Sequence, residues 1–158
     1  MELHALKAQL HPHFLFNTIN SIFFLIHKNP DQASEALSKF SDLLRYQLYE
    51  CNETEIPLRQ ELAYLENFIE LEKLRHDHND LELDIALNKV LPSDRSIAPF
   101  ILIPFIENAF KHVSCKPDGQ NAIQMSLRCE GENLYFQISN SYQQGGAAGR
   151  EAMPYQGI

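Results

Sequence analysis

Three features that are common in exported and membrane proteins are missing from this sequence. Its three cysteines, Cys51, Cys115 and Cys129, are an odd number without the spacing of a zinc site, which favours reduced thiols over disulfides. The longest nearly uninterrupted apolar run, Ile97 to Ile106, contains two prolines and is about half as long as a bilayer-spanning helix. The amino terminus has no basic segment followed by an apolar one, so no secretory signal is expected. The sequence therefore predicts a cytoplasmic segment that makes no membrane contact of its own.

An excess of positive charge is also missing. The 21 acidic residues outnumber the 13 lysines and arginines, which gives a net charge of −8, and the basic residues are dispersed along the chain. Such a chain would repel a phosphate backbone, so nucleic acid is not expected as a partner. The 158 residues, 44% of them hydrophobic and 22% charged, are typical of a globular chain with one ordinary core or two small ones.

What the sequence does contain is a histidine beside a proline within a helical pattern, at residues 9–17. Pro12 donates no N–H to the carbonyl one turn earlier and its ring crowds that carbonyl, so a kink costing about 3 kcal/mol is expected just before His13. On a helix, His13 shares a polar face with Gln9 and Asn17. Either amide could hold one ring nitrogen while the other reacts. The alternative is a helix-surface histidine beside a chance proline, and the local pattern favours neither.

A second polar group ends the apolar run, within residues 99–112. Asn108, Lys111 and His112 are spaced by three and four, so they share one face of a helix, and Glu107 lies one turn before Lys111. An amide oxygen is a hard ligand for Mg²⁺, and ammonium and imidazole groups contact phosphates. These are the groups that would hold a magnesium ion and a triphosphate. The common alternative is an amphipathic core helix with a solvated end.

Together the two motifs resemble those of the LytS/YehU-like sensor histidine kinases. The phosphoacceptor box of that family has the form Gln-x-x-Pro-His-Phe-Leu-Phe-Asn, its nucleotide box has the form Glu-Asn-Ala-x-Lys-His, and both match here in the right order. The resemblance covers nearly the whole chain, because it continues in three segments between the boxes: Ala36 to Tyr46, Leu58 to Leu62 and Glu70 to Arg75.

The resemblance implies a role for the polar residues of both boxes, with ATP and Mg²⁺ as the cofactors. His13 would be the phosphorylated histidine, and Asn108 would be the magnesium ligand. A candidate catalytic carboxylate near the γ-phosphate and two phosphate contacts complete the set: Glu107, Lys111 and His112.

The sequence departs from the family pattern in two places. The Asp-x-Gly segment expected to contact adenine reads Asn140-Ser141-Tyr142, so an amide would accept the adenine amine without charge assistance. The phosphate-cradling Gly-Ile-Gly-Leu box begins at Gly157 and the sequence ends at Ile158. We therefore expect this segment alone to be inactive or impaired, and to belong to a larger, membrane-anchored protein.

The predicted elements are three helices, a strand, a helix and two strands, which is an α+β fold. Helix one should run from near Glu2 to His27, and Asp31 should cap helix two. The second helix carries apolar residues at spacings of three and four: Ala33, Leu37, Phe40, Leu44 and Leu48. An antiparallel hairpin of these helices would leave an apolar stripe exposed, so a homodimer through residues 1–50, as a four-helix bundle, is predicted.

Residues 51–57 are predicted to be a linker to residues 58–158. By the resemblance, the latter form a C-terminally truncated ATP-binding α/β sandwich of the GHKL type. Helix three should cover Leu58 to Arg75, and its acidic residues are predicted to form a solvated face: Glu61, Glu66, Glu70 and Glu72. Three strands are predicted after it: Leu81 to Leu87, Ala122 to Cys129 and Leu134 to Ile138.

Two classes of function remain open at this point. The resemblance predicts a sensor histidine kinase of a two-component system, which transfers the γ-phosphoryl of ATP to His13 for relay to an aspartate of a response regulator. A non-catalytic dimeric signalling scaffold is the alternative, favoured by Asn140 and the shortened glycine box. A GHKL ATPase that phosphorylates nothing would leave the Pro12-His13 pair without a role.

Overall fold

The computed structural model describes residues 12–50, 53–76, 81–87, 95–113 and 121–142. Four α-helices lie within these ranges: α1 (Pro12–Lys28), α2 (Pro30–Arg45), α3 (Leu58–His76) and α4 (Ile103–His112). A π-helical turn, Tyr46–Glu50, directly follows α2. The fold is mixed α+β, as the sequence predicted.

Strands form two sheets in the described part of the chain. Their bounds are β1 (Ile56–Pro57), β2 (Leu81–Leu87), β3 (Ser96–Ile97), β4 (Asn121–Glu130) and β5 (Asn133–Asn140). The larger sheet has the order β2-β4-β5, with β2 parallel and β5 antiparallel to the central β4. The smaller sheet pairs β1 with β3. All three strands predicted from the sequence form, each within a few residues of its expected ends.

The turn between β4 and β5 depends on a glycine. Gly131 has a φ of +58°, a conformation that glycine adopts without the steric cost of a Cβ. The turn is tight, because Glu130 and Asn133 on either side of it are already paired. Arg95 donates to the carbonyl oxygens of Gly131 and Glu132, so the turn is also tied to the segment that leads into β3.

Helix α2 begins differently from the sequence prediction. Its cap is Asn29, whose Oδ1 accepts a hydrogen bond from the backbone N–H of Gln32 at 3.2 Å. Pro30 follows at the start of the helix, where its missing N–H costs nothing. Asp31, the predicted cap, lies in the first turn, where a carboxylate is still favourable beside the positive end of the helix dipole.

The core lies between the helices and one face of the larger sheet. Phe14 of α1 stacks on Phe68 of α3 with ring centroids 4.7 Å apart. Alternate residues of β4 point toward the helices and are buried: Asn121, Ile123, Met125 and Leu127. Ile106 anchors α4 in the same core. The start of α1, the middle of α3 and α4 are therefore held close together.

The predicted solvated face of α3 is wrong for two of its four glutamates. Glu61 is 0% exposed and Glu72 is 3% exposed, whereas Glu66 is exposed and Glu70 is partly exposed. The helix is covered on more sides than one amphipathic stripe would require, because α1, α2 and the segment before α4 all pack on it. Both buried carboxylates have polar partners.

Some predictions fall partly or wholly outside the described residues. The kink before His13 depends on residues preceding Pro12, Gln9 lies among residues 1–11, and Gly157 lies among residues 143–158. The predicted linker is described only from residue 53, and within it Ile56 is buried and pairs with Ile97. No helix in the described ranges is both long enough and apolar enough to cross a bilayer.

Candidate functional site

Four of the predicted site residues line one cleft of about 550 Å³: His13, Glu107, Asn108 and Lys111. They come from parts of the sequence more than 90 residues apart and reach the cleft on two different helices, α1 and α4. The other walls come from α3 and from apolar side chains: Phe14, Phe68, Glu72, Arg75, His76, Phe110 and Val113. The volume lies within the range of about 300–1,000 Å³ that is usual for small-molecule sites.

His13 is placed at the cleft by the residue that follows it. Phe14 is buried against Phe68, and neighbouring side chains on a helix point about 100° apart. The imidazole therefore lies beside the buried contact, where it remains exposed. A group in this position can be reached by a ligand in the cleft.

Asn17 contacts the imidazole as the helical spacing predicted. Its amide nitrogen lies 3.1 Å from Nδ1 and 3.2 Å from Nε2 of His13. The amide N–H can donate to whichever ring nitrogen carries no hydrogen. A hydrogen bond of this kind restricts the rotation of the ring and favours one tautomer.

Helix α4 presents its polar side to the same space. Ile106, Ala109 and Phe110 are buried, and the residues between them point outward. Asn108 and Lys111 are exposed, and Glu107 is half-buried. The amphipathic core helix, which was the alternative interpretation of this segment, is thus an accurate description of α4, and its solvated side forms a wall of the cleft.

Three ionisable residues of α3, Glu72, Arg75 and His76, complete the cleft, and none of them was predicted as a site residue from the sequence. Nη1 of Arg75 lies 2.6 Å from Oε1 and 2.9 Å from Oε2 of Glu72. Nε2 of His76 lies 3.7 Å from Glu72 Oε2, and the His76 ring packs on Phe110 at 5.7 Å. The Glu72-x-x-Arg75 spacing was visible in the sequence, and two such residues on a helix are neighbours. Their burial was not visible.

Burial shifts the pKa values of two members of this group. It raises the pKa of the Glu72 carboxyl, an effect that Arg75 opposes and the negative charge of Glu107 reinforces. Burial also lowers the pKa of His76, as does the positive charge of Arg75. Both effects favour the neutral form of His76, and the lysine and arginine side chains that line the cleft are Lys111 and Arg75.

Three predicted site residues in the described ranges do not line this cleft. Asn17 is linked to it only through its contact with His13. His112 is exposed at the end of α4. Asn140 ends β5, where it pairs with Ile123 and its amide donates to the Ser141 carbonyl at 3.0 Å. Gln9 and Gly157 lie outside the described residues, so their places relative to the cleft stay predictions.

The side-chain oxygens at the cleft fit a magnesium ion that is also bound by phosphates. Within the described ranges no three His, Cys, Asp or Glu side chains form a group that could hold a metal by themselves. Mg²⁺ needs only one or two protein oxygens when phosphates and water supply the rest. The exposed amide of Asn108 and the carboxylate of Glu107, both in the cleft, offer oxygens of this kind.

Comparison with known proteins agrees with the two motifs. Residues 1–80 match the family model described as Histidine kinase. The chain is 33% identical over 143 residues to the sensor protein LytS of Streptococcus agalactiae serotype V, and 31% identical over 140 residues to the sensor histidine kinase BtsS of Escherichia coli K12. It is 34% identical to the sensor protein LytS of Streptococcus mutans.

These alignments cover 90%, 89% and 90% of the chain, but each covers only 24% of the relative. The chain thus spans about a quarter of the length of these sensor proteins. The family match extends over half of the chain and includes His13, the residue that the cleft places opposite Asn108 and Lys111. The chain belongs to the histidine kinase family, and its sequence is similar to the LytS and BtsS sensor proteins.

Proposed function

We propose that this chain is the phosphoacceptor and nucleotide-binding region of a sensor histidine kinase, in which the γ-phosphoryl of ATP is transferred to His13. The observation that carries the proposal is the shared cleft, because His13 of α1 lines it together with Glu107, Asn108 and Lys111 of α4. Phosphoryl transfer depends mainly on positioning and on charge stabilisation. The cleft supplies a histidine, an amide and two cationic side chains within one small volume.

The reaction would begin at the ring nitrogen of His13 that carries no hydrogen, which the Asn17 amide would orient and then release before the attack. This nitrogen attacks the γ-phosphorus, and a nitrogen–phosphorus bond forms as the bond to the β–γ bridging oxygen breaks. ADP leaves with that electron pair. The proton on the other ring nitrogen passes to a base, for which Glu107 is the proposed group because its carboxylate lies in the same cleft.

The remaining polar residues would bind the nucleotide. Lys111 and Arg75 would offset charge on the phosphates, and His112 would contact them from the end of α4. Asn108 would hold Mg²⁺, which when bound offsets negative charge on the β- and γ-phosphates. Asn140 and Gly157 are the proposed adenine and phosphate-loop contacts. The fold around these residues would be a GHKL-type sandwich.

Two partners follow from this proposal. A response regulator would receive the phosphoryl group on an aspartate, and a second copy of the chain would pair through residues 1–50 to form a four-helix bundle. The segment would act in the cytoplasm, as part of a membrane-anchored sensor. Large apolar side chains exposed on α1, among them Phe16 and Phe23, support the second of these partners.

Labelling with γ-³²P-ATP in the full-length protein tests the proposal. His13→Gln should abolish acid-labile labelling and leave the affinity for Mg-ATP unchanged, because the substitution removes the acceptor and not the nucleotide contacts. Asn108→Ala should weaken Mg-ATP binding and labelling together. Calorimetry with Mg-ATP measures the affinity of each variant.

His27→Gln is the matched control, because His27 is an exposed histidine near the other end of the same helix. It should be labelled as strongly as the wild type. Labelling of His13→Gln at the wild-type level would contradict the assignment of the acceptor. Failure of the wild type to bind Mg-ATP would favour the non-catalytic scaffold instead.

A further inference from the structure

A buried carboxylate joins three segments that are distant in sequence. Glu61, in the first turn of α3, accepts a hydrogen bond on Oε2 from the Tyr46 hydroxyl at 2.7 Å. The same oxygen accepts the backbone N–H of Phe100 at 3.2 Å. Tyr46 begins the π-helical turn that ends α2, and Phe100 lies just before α4. Glu61 therefore ties the end of α2 and the entry to α4 to the start of α3.

The backbone that Glu61 holds is in an unfavourable conformation. Phe100 has a φ of +62°, which is rare for a residue with a side chain and persists only where the surroundings enforce it. Its ring is held too, since Phe100 packs edge-on against Tyr46 and Tyr64, with centroids 5.4 Å from each. Tyr46 and Tyr64 stack on each other at 4.5 Å. Both the peptide and the side chain of Phe100 are thus fixed by α2 and α3.

Apolar side chains hold helix α4 in the core, but its first turn has no polar cap. Its cap residue, Leu102, provides no side-chain hydrogen bond, and Pro104 in the first turn has no N–H to donate. The hydrogen bonds that orient the start of α4 therefore come from the segment before it, which Glu61 holds through the Phe100 N–H. This helix carries Glu107, Asn108 and Lys111 to the cleft.

The other partner of Glu61 lies in a π-helical turn. Such turns are rare and occur frequently at functional sites. A change in the turn at the end of α2 would move the Tyr46 hydroxyl relative to Glu61. The hydrogen bond is thus a physical link between the conformation of α2 and the segment that enters α4.

We propose that Glu61 is a positioning residue, which sets the place of α4 against α1 through Phe100, and that the Tyr46–Glu61 hydrogen bond transmits the state of the α2 end to the cleft. This inference rests on the proposed function, since the positions it sets are those of Asn108 and Lys111 relative to His13. Glu61 touches neither the nucleotide nor the phosphoryl group.

Tyr46→Phe tests the link in the full-length protein, because it removes one hydroxyl and keeps the stacked ring. At saturating Mg-ATP, we expect the rate of His13 labelling to fall about tenfold or more, as misplacement on the ångström scale does in other enzymes. The affinity for Mg-ATP should stay within about twofold of the wild type, because α4 keeps its own nucleotide contacts.

Tyr64→Phe is the matched control. Its hydroxyl accepts from Gln47 Nε2 at 2.8 Å, and its ring is buried in the same aromatic cluster. This variant should be labelled at the wild-type rate. An equal loss in both variants would show that the cluster only stabilises the fold, and a wild-type rate in Tyr46→Phe would also overturn the proposal.

A pair of substitutions at position 61 adds a second test. Glu61→Gln retains an oxygen that can accept from Tyr46 and Phe100, so most of the labelling rate should be kept. Glu61→Leu removes the acceptor at similar volume, and the rate should fall about tenfold or more. Equal rates in the two variants would contradict a role for the hydrogen bonds.

Amide hydrogen exchange separates this inference from the proposed function. Peptides that cover residues 100–112 should exchange faster in Tyr46→Phe than in the wild type or in Tyr64→Phe, because weaker anchoring raises local opening. This measurement needs no kinase activity, so it tests the link from Tyr46 to α4 even if His13 is never labelled. Unchanged exchange in all three proteins would overturn the inference.

Discussion

At the scale of single residues, the two buried glutamates of α3 show that helical spacing alone does not predict burial. Glu61 and Glu72 fit a solvated face when the helix is considered alone, but the structure covers both. Each is compensated locally, Glu61 by hydrogen bonds from Tyr46 and Phe100, and Glu72 by Arg75. A buried carboxylate without partners would cost several kcal/mol, so these contacts are a condition of the fold.

The charge on Glu61 should make stability depend on pH. Burial raises its pKa, while hydrogen bonds from Tyr46 and from the backbone N–H groups of Phe100 and Leu102 oppose the shift. A carboxyl with a raised folded-state pKa contributes stability that is fully present below its unfolded pKa of about 4.3 and is lost as pH rises through the folded pKa. The Gln side chain of Glu61→Gln cannot ionise. The stability of this variant relative to the wild type should therefore increase as pH rises from the unfolded pKa through the folded pKa.

Thermal unfolding at about pH 5 and about pH 8 checks this prediction. The difference in Tm, variant minus wild type, should be larger at the higher pH, by about 2–4 °C for each kcal/mol. Glu66→Gln, at an exposed position of the same helix, should show the same difference at both pH values. A difference for Glu61→Gln that falls with pH would contradict the sign.

At the scale of elements, the sequence predicted which helices and strands form better than it predicted where they end or which face of a helix is buried. The three longer strands and all four helices are present in the described residues, because alternation and helical spacing depend on local physics. The buried face of α2 is shifted from the prediction: Ala33 and Phe40 are buried as expected, but Leu37 is 56% exposed. Ala36 and Leu43 are buried in its place, since packing against α1 and α3 decides which stripe faces inward.

The same limit applies to the cleft. His13, Asn108 and Lys111 were found from the sequence because each lies in a motif with recognisable spacing. Arg75 and His76 were not assigned, since their approach to α4 depends on the packing of His76 on Phe110. Side chains that meet through tertiary contacts leave no periodic signal in one sequence.

The cap of α2 allows a prediction at this scale. Asn29→Ala should lower the free energy of unfolding by about 1 kcal/mol, because it removes the oxygen that accepts from the Gln32 N–H. Asp31→Ala should cost less, about 0.3–1 kcal/mol, since it removes only a favourable charge near the helix dipole. Urea unfolding of the two variants measures the difference. A larger loss of unfolding free energy in Asp31→Ala would indicate that Asp31, as predicted from the sequence, is the cap.

At the scale of the whole molecule, the outer side of α1 exposes a stripe of large apolar side chains. Four large apolar side chains at spacings of three and four are roughly half or more exposed: Phe16 68%, Ile19 51%, Phe23 60% and Ile26 48%. They lie away from the buried face of α1, which is formed by Phe14, Thr18 and Ile22 and packs on α2 and α3. An apolar stripe of this length on a helix indicates an interface, and helices paired across it would form the proposed four-helix bundle.

Charge placed on this stripe should separate the subunits. Phe23→Glu puts a carboxylate at the centre of the stripe, where a dimer would have to desolvate it twice, so the variant should sediment as a monomer at micromolar concentration while the wild type sediments as a dimer. Ser38→Glu, which adds the same charge at an exposed position of α2 opposite its buried face, should remain dimeric. A wild type that is monomeric at this concentration would contradict the dimer, and a monomeric Ser38→Glu would show that net charge, rather than the apolar stripe, controls the association.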